Sequence, residues 1–259
     1  MGAEVALTLY PVPGKEKSKL ICNAFAAGAP KHATGAVFFG TEGQMQNFRR
    51  AQQGTWFYCD NSYFDKHRGI YFRVTKNALQ VDPRGKTSTG ERFAKLGITI
   101  RPWRPNPDGY ILLCPQSDDF MKSTLGRGPS YDWTRETLAT LERLQREAGT
   151  DIPVKVRPWN RDKKAAAVTL ESLLPNVRLL ISHSSSASIT AMIEGVPSLS
   201  IGPTAAAYHL TGPLTPEALV RPPTPDDPLR LRFCEILADN QFTLEEFKNG
   251  TAWRWLEKT

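Results

Sequence analysis

Between Val177 and Gly202 the sequence reads VRLLISHSSSASITAMIEGVPSLSIG, and no other stretch narrows the possible fold as much. Residues 177–182 are an apolar, β-rich run, which His183, Ser184, Ser185 and Ser186 interrupt with small polar side chains. Residues 187–195 have helical composition and stop on Gly195, and residues 196–201 form a second apolar run. Strand, tight turn, short helix and strand make the unit of a parallel α/β sheet. The turn falls at the carboxyl end of the first strand, where open α/β sheets bind ligands. Its serines and the N–H groups of a helix start suit a phosphate. A serine that only caps the helix produces the same pattern.

The rest of the chain repeats this alternation. Residues 5–10, 36–40 and 55–59 read as strands, with helical composition over 18–27 and 44–53, which implies parallel pairing through right-handed crossovers. DNSYFDKHRG and IYFRVTKNAL follow, aromatic and basic without a helical period, and are expected to be loop and β-structure. Residues 80–108 are rich in Pro, Gly, Lys and Arg and read as a linker, which puts a domain boundary near Asn106. The expected domains are 1–106 and 107–259. In the second, residues 110–114 and 154–157 are strand-like, and 133–148 and 163–174 helical. A proline-rich crossing leads to terminal helices over 229–239 and 244–258.

Charge narrows the partners. The 259 residues hold 33 Lys and Arg against 26 Asp and Glu, a formal net charge of +7, which favours an anionic partner such as a sugar nucleotide, nucleic acid or membrane surface. Cys22, Cys59, Cys114 and Cys234 are far apart, with no C-x-x-C pair for zinc or redox work, and read as structural thiols. No apolar run approaches the roughly 20 residues that span a bilayer. The opening MGAEVALTLYPVPGKEK lacks the pattern of a signal peptide, and MGAEVA lacks the Ser or Thr of a myristoylation motif. The expected compartment is the cytoplasm.

Two Rossmann-like halves joined by a linker would face a cleft, which is the plan of a GT-B glycosyltransferase. Residues 110–202 resemble the donor-binding half of such enzymes, especially bacterial capsule and surface-carbohydrate transferases. The resemblance is carried by His183, Ser184, Ser185 and Ser186, then Glu194, Gly195 and Pro197. It implies an α/β fold of two Rossmann-like domains with C-terminal helices crossing back. It also implies that the serine turn holds donor phosphates, that Glu194 contacts the donor's sugar or ribose, and that Gly195 permits close backbone approach. The segment VKVRPWNRDKK is similar to the basic, Pro-His-Pro-like segments of capsule transferases, but has Trp159 and Asn160 where those have His and Pro. Arg157, Arg161, Lys163 and Lys164 are candidates for a donor pyrophosphate, or a solvated basic face. The donor is a nucleotide sugar acting as co-substrate; no cofactor or metal is implied.

On the acceptor side, Asp60 follows the strand TWFYC at its carboxyl end and is the first candidate for a catalytic base, with Asp65 in reserve. Both also fit as turn formers. Tyr63, Phe64, Lys66, His67, Arg68, Tyr71, Phe72, Arg73 and Lys76, with Arg84, Lys86 and Arg92, make a basic and aromatic set suited to nucleic acid, although strands need such aromatics too. TLEEFKNGTAWRWLEK is similar to the tails of phage and prophage proteins. Phages decorate hydroxymethylated DNA bases with GT-B enzymes, so the resemblance implies modified DNA as one acceptor, reached by base flipping in the host cytoplasm. A surface polysaccharide is the competing acceptor. A non-catalytic nucleic-acid-binding protein with a transferase-like fold is the reading from a different class.

Overall fold

The computed structural model describes residues 7–64, 68–117, 120–121, 130–157 and 169–258. Its strands, in chain order, are β1 (Leu7–Pro11), β2 (Gly35–Phe39), β3 (Trp56–Asn61), β4 (Tyr71–Lys76), β5 (Tyr110–Cys114), β6 (Val154–Val156), β7 (Val177–Ser182), β8 (Ser198–Ser200) and β9 (Gln241–Thr243). They form a five-stranded sheet, β1-β2-β3-β4-β9, and a four-stranded sheet, β6-β5-β7-β8. The fold is mixed α/β, and the chain divides into two compact units. One holds residues 1–97 and 232–259, the other residues 98–231.

In the first unit β1, β2 and β3 are parallel, and the helix between each consecutive pair supplies the crossover that parallel strands need. β4 returns antiparallel to β3, and β9 pairs antiparallel with β4. The helix Glu16–Ala27 buries Ile21, Cys22, Ala24 and Phe25, a spacing that makes one helical stripe. That stripe joins Val37, Phe57, Cys59, Phe72 and Val74 in one apolar cluster. The same cluster takes in Phe242, Phe247, Ala252, Trp253 and Leu256 from the far end of the sequence. Trp253 stacks on Phe25 with ring centroids 4.7 Å apart, and its indole N–H donates to the Phe25 carbonyl at 2.7 Å.

The second unit is a parallel sheet buried on both faces, which explains why YILLC and VRLLIS are nearly continuous apolar runs. Ile111, Leu113, Leu179 and Ile181 pack on one face with Trp133, Leu141 and Leu144 of the helix Ser130–Ala148. Tyr110, Leu112 and Leu180 pack on the other with Ala187 and Ala191 of the helix Ser186–Ile193.

Three expectations differ from the structure. The division falls at residues 97 and 98 rather than near Asn106, because the segment after it bonds to the second unit: Arg101 N–H donates to Ile193 O and Arg104 N–H to Gly195 O, both at 2.8 Å. The terminal segment belongs to the first unit, and the chain returns to it within the helix Asp227–Asp239. The single helix expected over 244–258 is two, Leu244–Lys248 and Thr251–Leu256, preceded by the three-residue strand β9. All four cysteines are buried and none is in a disulfide. Among the described residues no helix is long and apolar enough to cross a membrane.

The Phe25 and Trp253 stack closes the first unit's core, so Trp253→Ala is expected to destabilise that unit by about 3–5 kcal/mol, the usual range for truncating a buried aromatic. Urea unfolding followed by tryptophan fluorescence and circular dichroism checks this.

Candidate functional site

The four-stranded sheet has one place where strand order reverses. From β5 the chain crosses to β6 on one side, then to β7 and β8 on the other, so the carboxyl ends of β5 and β7 flank the topological switch point. The side chains there are Gln116, just beyond β5, and His183 and Ser184, just beyond β7. Gln116 Nε2 donates to Ser184 Oγ at 3.2 Å, and Ser184 Oγ lies 3.1 Å from His183 Nδ1. Arg157 follows β6 at the same edge, anchored by its N–H to Leu113 O at 2.8 Å. Burial pushes the neighbouring Cys114 thiol up to about 12, and the Arg157 charge acts against that rise. No hydrogen bond or ion pair engages the Arg157 guanidinium among the described residues.

The serine turn is largely self-satisfied. Ser185 is the helix N-cap, its Oγ accepting the Ala187 N–H at 3.1 Å. Ser182 Oγ accepts the Ser185 N–H at 3.3 Å and lies 2.8 Å from Ser188 Oγ. Ser198 Oγ donates to the Ser188 carbonyl at 3.0 Å, so buried hydroxyls tie β7, the helix and β8 together. Ser186 opens the helix. Of the four turn residues, Ser184 bonds to Gln116, and His183 bonds to Ser184.

His183 is buried, with Trp133 and Phe120 edge-on to its ring at centroid distances of 6.0 and 6.4 Å. Desolvation holds its pKa below the ordinary 6.5, so the imidazole is neutral at pH 7. Gly202 presses against it: its N–H donates to His183 O at 2.7 Å, and a Cβ there would come within 2.5 Å of His183 Cε1. Neither Gln116 nor Gly202 was singled out by pattern. Position was the available signal, because each lies two residues beyond the end of a strand of the parallel sheet.

Glu194 and Gly195 are at the other end of the eight-residue helix, about 12 Å from the turn at 1.5 Å per residue. Glu194 pairs with Arg101 at 3.2 Å, and its carbonyl accepts from Arg104 Nε at 2.9 Å. Gly195 has φ of +74°, and a Cβ there would lie 2.1 Å from Pro102 O. Close backbone approach is therefore its role, but toward the 101–104 segment. The fully buried Arg230 completes this cap by donating to the carbonyls of Met192 at 3.0 Å and Arg101 at 2.8 Å.

In the first unit Asp60 ends β3 as expected, but its carboxylate is engaged. Arg73 Nη2 donates to it at 2.6 Å and the Asn61 N–H at 2.7 Å, with side chains 7% (Arg73) and 27% (Asp60) exposed. Both carboxylate oxygens of Asp60 thus already accept hydrogen bonds within the unit. Arg73 is not a surface contact for nucleic acid: it occupies a strand buried on both faces, donates to Gln80 at 2.6 Å and lies 4.6 Å from the Tyr63 ring centroid. Burial opposes its charge, yet Tyr63, Asp60 and Tyr58 raise its pKa overall. Tyr63, Phe64 and Phe72 are core residues, as strands require. Arg84 is held by Asp82, Lys86 is half-buried, and Arg68 and Lys76 are exposed. Asp65, Lys66, His67, Arg161, Lys163 and Lys164 lie outside the described residues. Among the described residues no group of three His, Cys, Asp or Glu could hold a metal.

Two outcomes test these environments. Asp60→Asn leaves the buried Arg73 without its counter-charge and is expected to cost about 2–4 kcal/mol in chemical unfolding, whereas a free surface carboxylate would cost almost nothing. His183 has a folded pKa below its unfolded one, so the stability it confers is complete above about pH 6.5 and is lost as pH falls from there through the lower folded pKa. Urea midpoints between about pH 7.5 and about pH 5.5 should fall less in His183→Gln than in the parent. Neither a protein-family model nor a curated protein sequence matches this chain, so any functional reading rests on this geometry and on the sequence resemblance.

Proposed function

We propose that the chain is a GT-B-like, nucleotide-sugar-dependent transferase whose second unit binds the donor phosphates at the switch point of its parallel sheet. The observation that supports this most is the strand order β6-β5-β7-β8, with Arg157, whose guanidinium has no hydrogen bond or ion pair among the described residues, at the same edge as Gln116, His183 and Ser184. Sheets of this order bind ligands where the order reverses. Arginine's fork suits phosphate oxygens, and the N-terminus of the helix Ser186–Ile193 adds partial positive charge. The neutral His183 contributes a hydrogen bond rather than a charge. In the transfer, an acceptor hydroxyl oxygen bonds to the donor's anomeric carbon, the carbon–oxygen bond to phosphate breaks, and the nucleoside diphosphate leaves with the electron pair. The hydroxyl proton passes to solvent or a nearby base.

The net charge of +7 supports an anionic acceptor such as hydroxymethylated DNA. The burial of Arg73 and the pairing of Arg84 remove two cations from that surface and support a saccharide acceptor instead.

Calorimetric titration and thermal shift with nucleoside diphosphates and nucleotide sugars test the reading. One nucleotide is expected to bind and to raise the melting temperature, with affinity about tenfold or more weaker in Arg157→Ala. If no nucleotide binds while DNA gives a salt-sensitive shift, the reading fails in favour of a nucleic-acid-binding protein.

A further inference from the structure

We propose that the first unit docks on the backbone of double-stranded DNA through the amino edge of its sheet, where Lys31, Arg49, Arg50 and Lys76 are exposed with His32 beside them. The register brings them together. β2 and β3 begin at this edge and β4 ends at it: Ala36 is the partner of Trp56, and Phe57 of Lys76. Lys31 and His32 form the tip of the turn that leads into β2, closed by the Ala33 N–H to Pro30 O at 2.9 Å. Arg49 and Arg50 lie in the last turn of the helix that leads into β3, Met45–Ala51. Phe48, the residue before them, packs edge-on against Phe38 and Trp56 with ring centroids 5.4 and 5.0 Å apart, which fixes that helix end on the sheet. With neighbouring strands about 4.8 Å apart, the loops at β2, β3 and β4 span about 10 Å.

Negative charge is scarce at this edge. Glu42 is the only carboxylate between Glu16 and Asp60 in the sequence, and none lies between Asp65 and Asp82. Glu42 follows β2 at the opposite, carboxyl edge, where it pairs with Lys15. Elsewhere basic side chains have acidic partners: Arg84 has Asp82, Arg92 has Glu246, Arg143 has Glu147 and Arg146 has Glu142. The side chains of Lys31, His32, Arg49, Arg50 and Lys76 make no hydrogen bond or ion pair among the described residues. On the β9 side Asp239 is buried, and Glu257 follows the helix Thr251–Leu256. Like charges gathered without counter-charge repel one another. A polyanion relieves that repulsion and releases its own counterions as it binds.

The side chains around these cations select the polyanion. Arginine forks and the exposed amides of Gln52 and Gln53 match phosphate and sugar oxygens along a backbone. A single strand would need exposed rings on which to stack its bases, but Trp56, the aromatic residue where β3 begins, is buried. An anionic membrane would be held by inserted apolar side chains as well as by charge, and the large exposed ones of this unit, Leu20 and Ile70, lie outside these loops. Duplex RNA is recognised across two successive minor grooves, a longer reach than this edge offers. Backbone contacts across the one minor groove of B-DNA, about 6 Å wide, fit it. This surface uses none of the residues at the switch point of the second unit, so it stands whether or not the transferase reading holds.

Fluorescence anisotropy of the full chain with a short labelled DNA duplex of arbitrary sequence, without nucleotide, is the test. Binding is expected, with log affinity falling against log salt at a slope of about −3 to −4 for four cations between about 50 and about 200 mM KCl. The double variant Arg49→Ala, Arg50→Ala should bind about tenfold or more weakly and lose about 2 from that slope. Both side chains are exposed, so its melting temperature should match the parent's. Arg143→Ala with Arg146→Ala removes the same charge from the second unit, where each arginine has a glutamate, and should leave DNA affinity unchanged. Arg157→Ala should also bind DNA as the parent does, which separates this surface from the nucleotide reading. The proposal is overturned if the duplex does not bind, if the Arg49 and Arg50 variant keeps the parent's affinity and slope, or if the Arg143 and Arg146 variant weakens binding as much. Tighter binding to an RNA duplex of the same sequence, or to vesicles of equal parts phosphatidylcholine and phosphatidylserine, overturns it as well.

Discussion

A helix buried at both ends must find partners for the backbone groups its own ladder leaves unpaired, and the arrangement of the second unit follows from how the helix Ser186–Ile193 meets that demand. At its start Ser185 takes the Ala187 N–H, and Ser182 takes the Ser185 N–H. At its end Arg101, Arg104 and Arg230 take the carbonyls of Ile193, Gly195, Glu194 and Met192. Arginine at a helix C-terminus is also favoured by the dipole. With both ends fixed, β7 and β8 are held in register, and the His183 and Ser184 turn is presented at the carboxyl edge beside β5.

The same accounting divides the roles within the long motif. Hydroxyls that satisfy backbone or one another, those of Ser182, Ser185, Ser188 and Ser198, are structural, and they hold the turn rigid. Ser184, bonded to a glutamine and a histidine side chain instead of to the backbone, has bonds that a ligand can replace in kind. Polar groups preorganised on such a turn, with Arg157 at the same edge making no ion pair among the described residues, would have little left to order on binding a ligand. Glu194 and Gly195, although part of the same motif, serve the opposite end of the helix.

The first unit places its polarity differently. Its sheet is oily toward the helices Glu16–Ala27 and Thr251–Leu256 and polar where Asp60, Arg73 and Gln241 line up. Such a row is costly to bury unless its members pair, and the Asp60 and Arg73 ion pair with Gln80 behind it does most of that pairing. Core aromatics close in sequence to these polar residues explain why Tyr63, Phe64, Phe72 and Arg73 of the segment dense in Arg, Lys, Tyr and Phe are interior, whereas Arg68, Lys76 and Arg84 stay exposed.

The alternation of apolar runs with amphipathic stretches was enough to determine the α/β character, the parallel pairing of β1 to β3 and of β5 to β8, and the turn at the end of β7, because strand and helix periodicities are local properties of the chain. Periodicity also exposed the long helix ending at Ala148. It could not reveal β9, three residues long, whose identity as a strand comes from pairing with β4 far away in sequence. Nor could it tell Arg73 from a surface arginine, since burial depends on what covers both faces of β4. Tertiary structure alone decided that the last helices complete the first unit, that Glu194 is a helix length away from Ser184, and that Gln116 meets Ser184. Each of these is a contact between distant positions, and the local pattern of side chains carries no record of the partner that satisfies them.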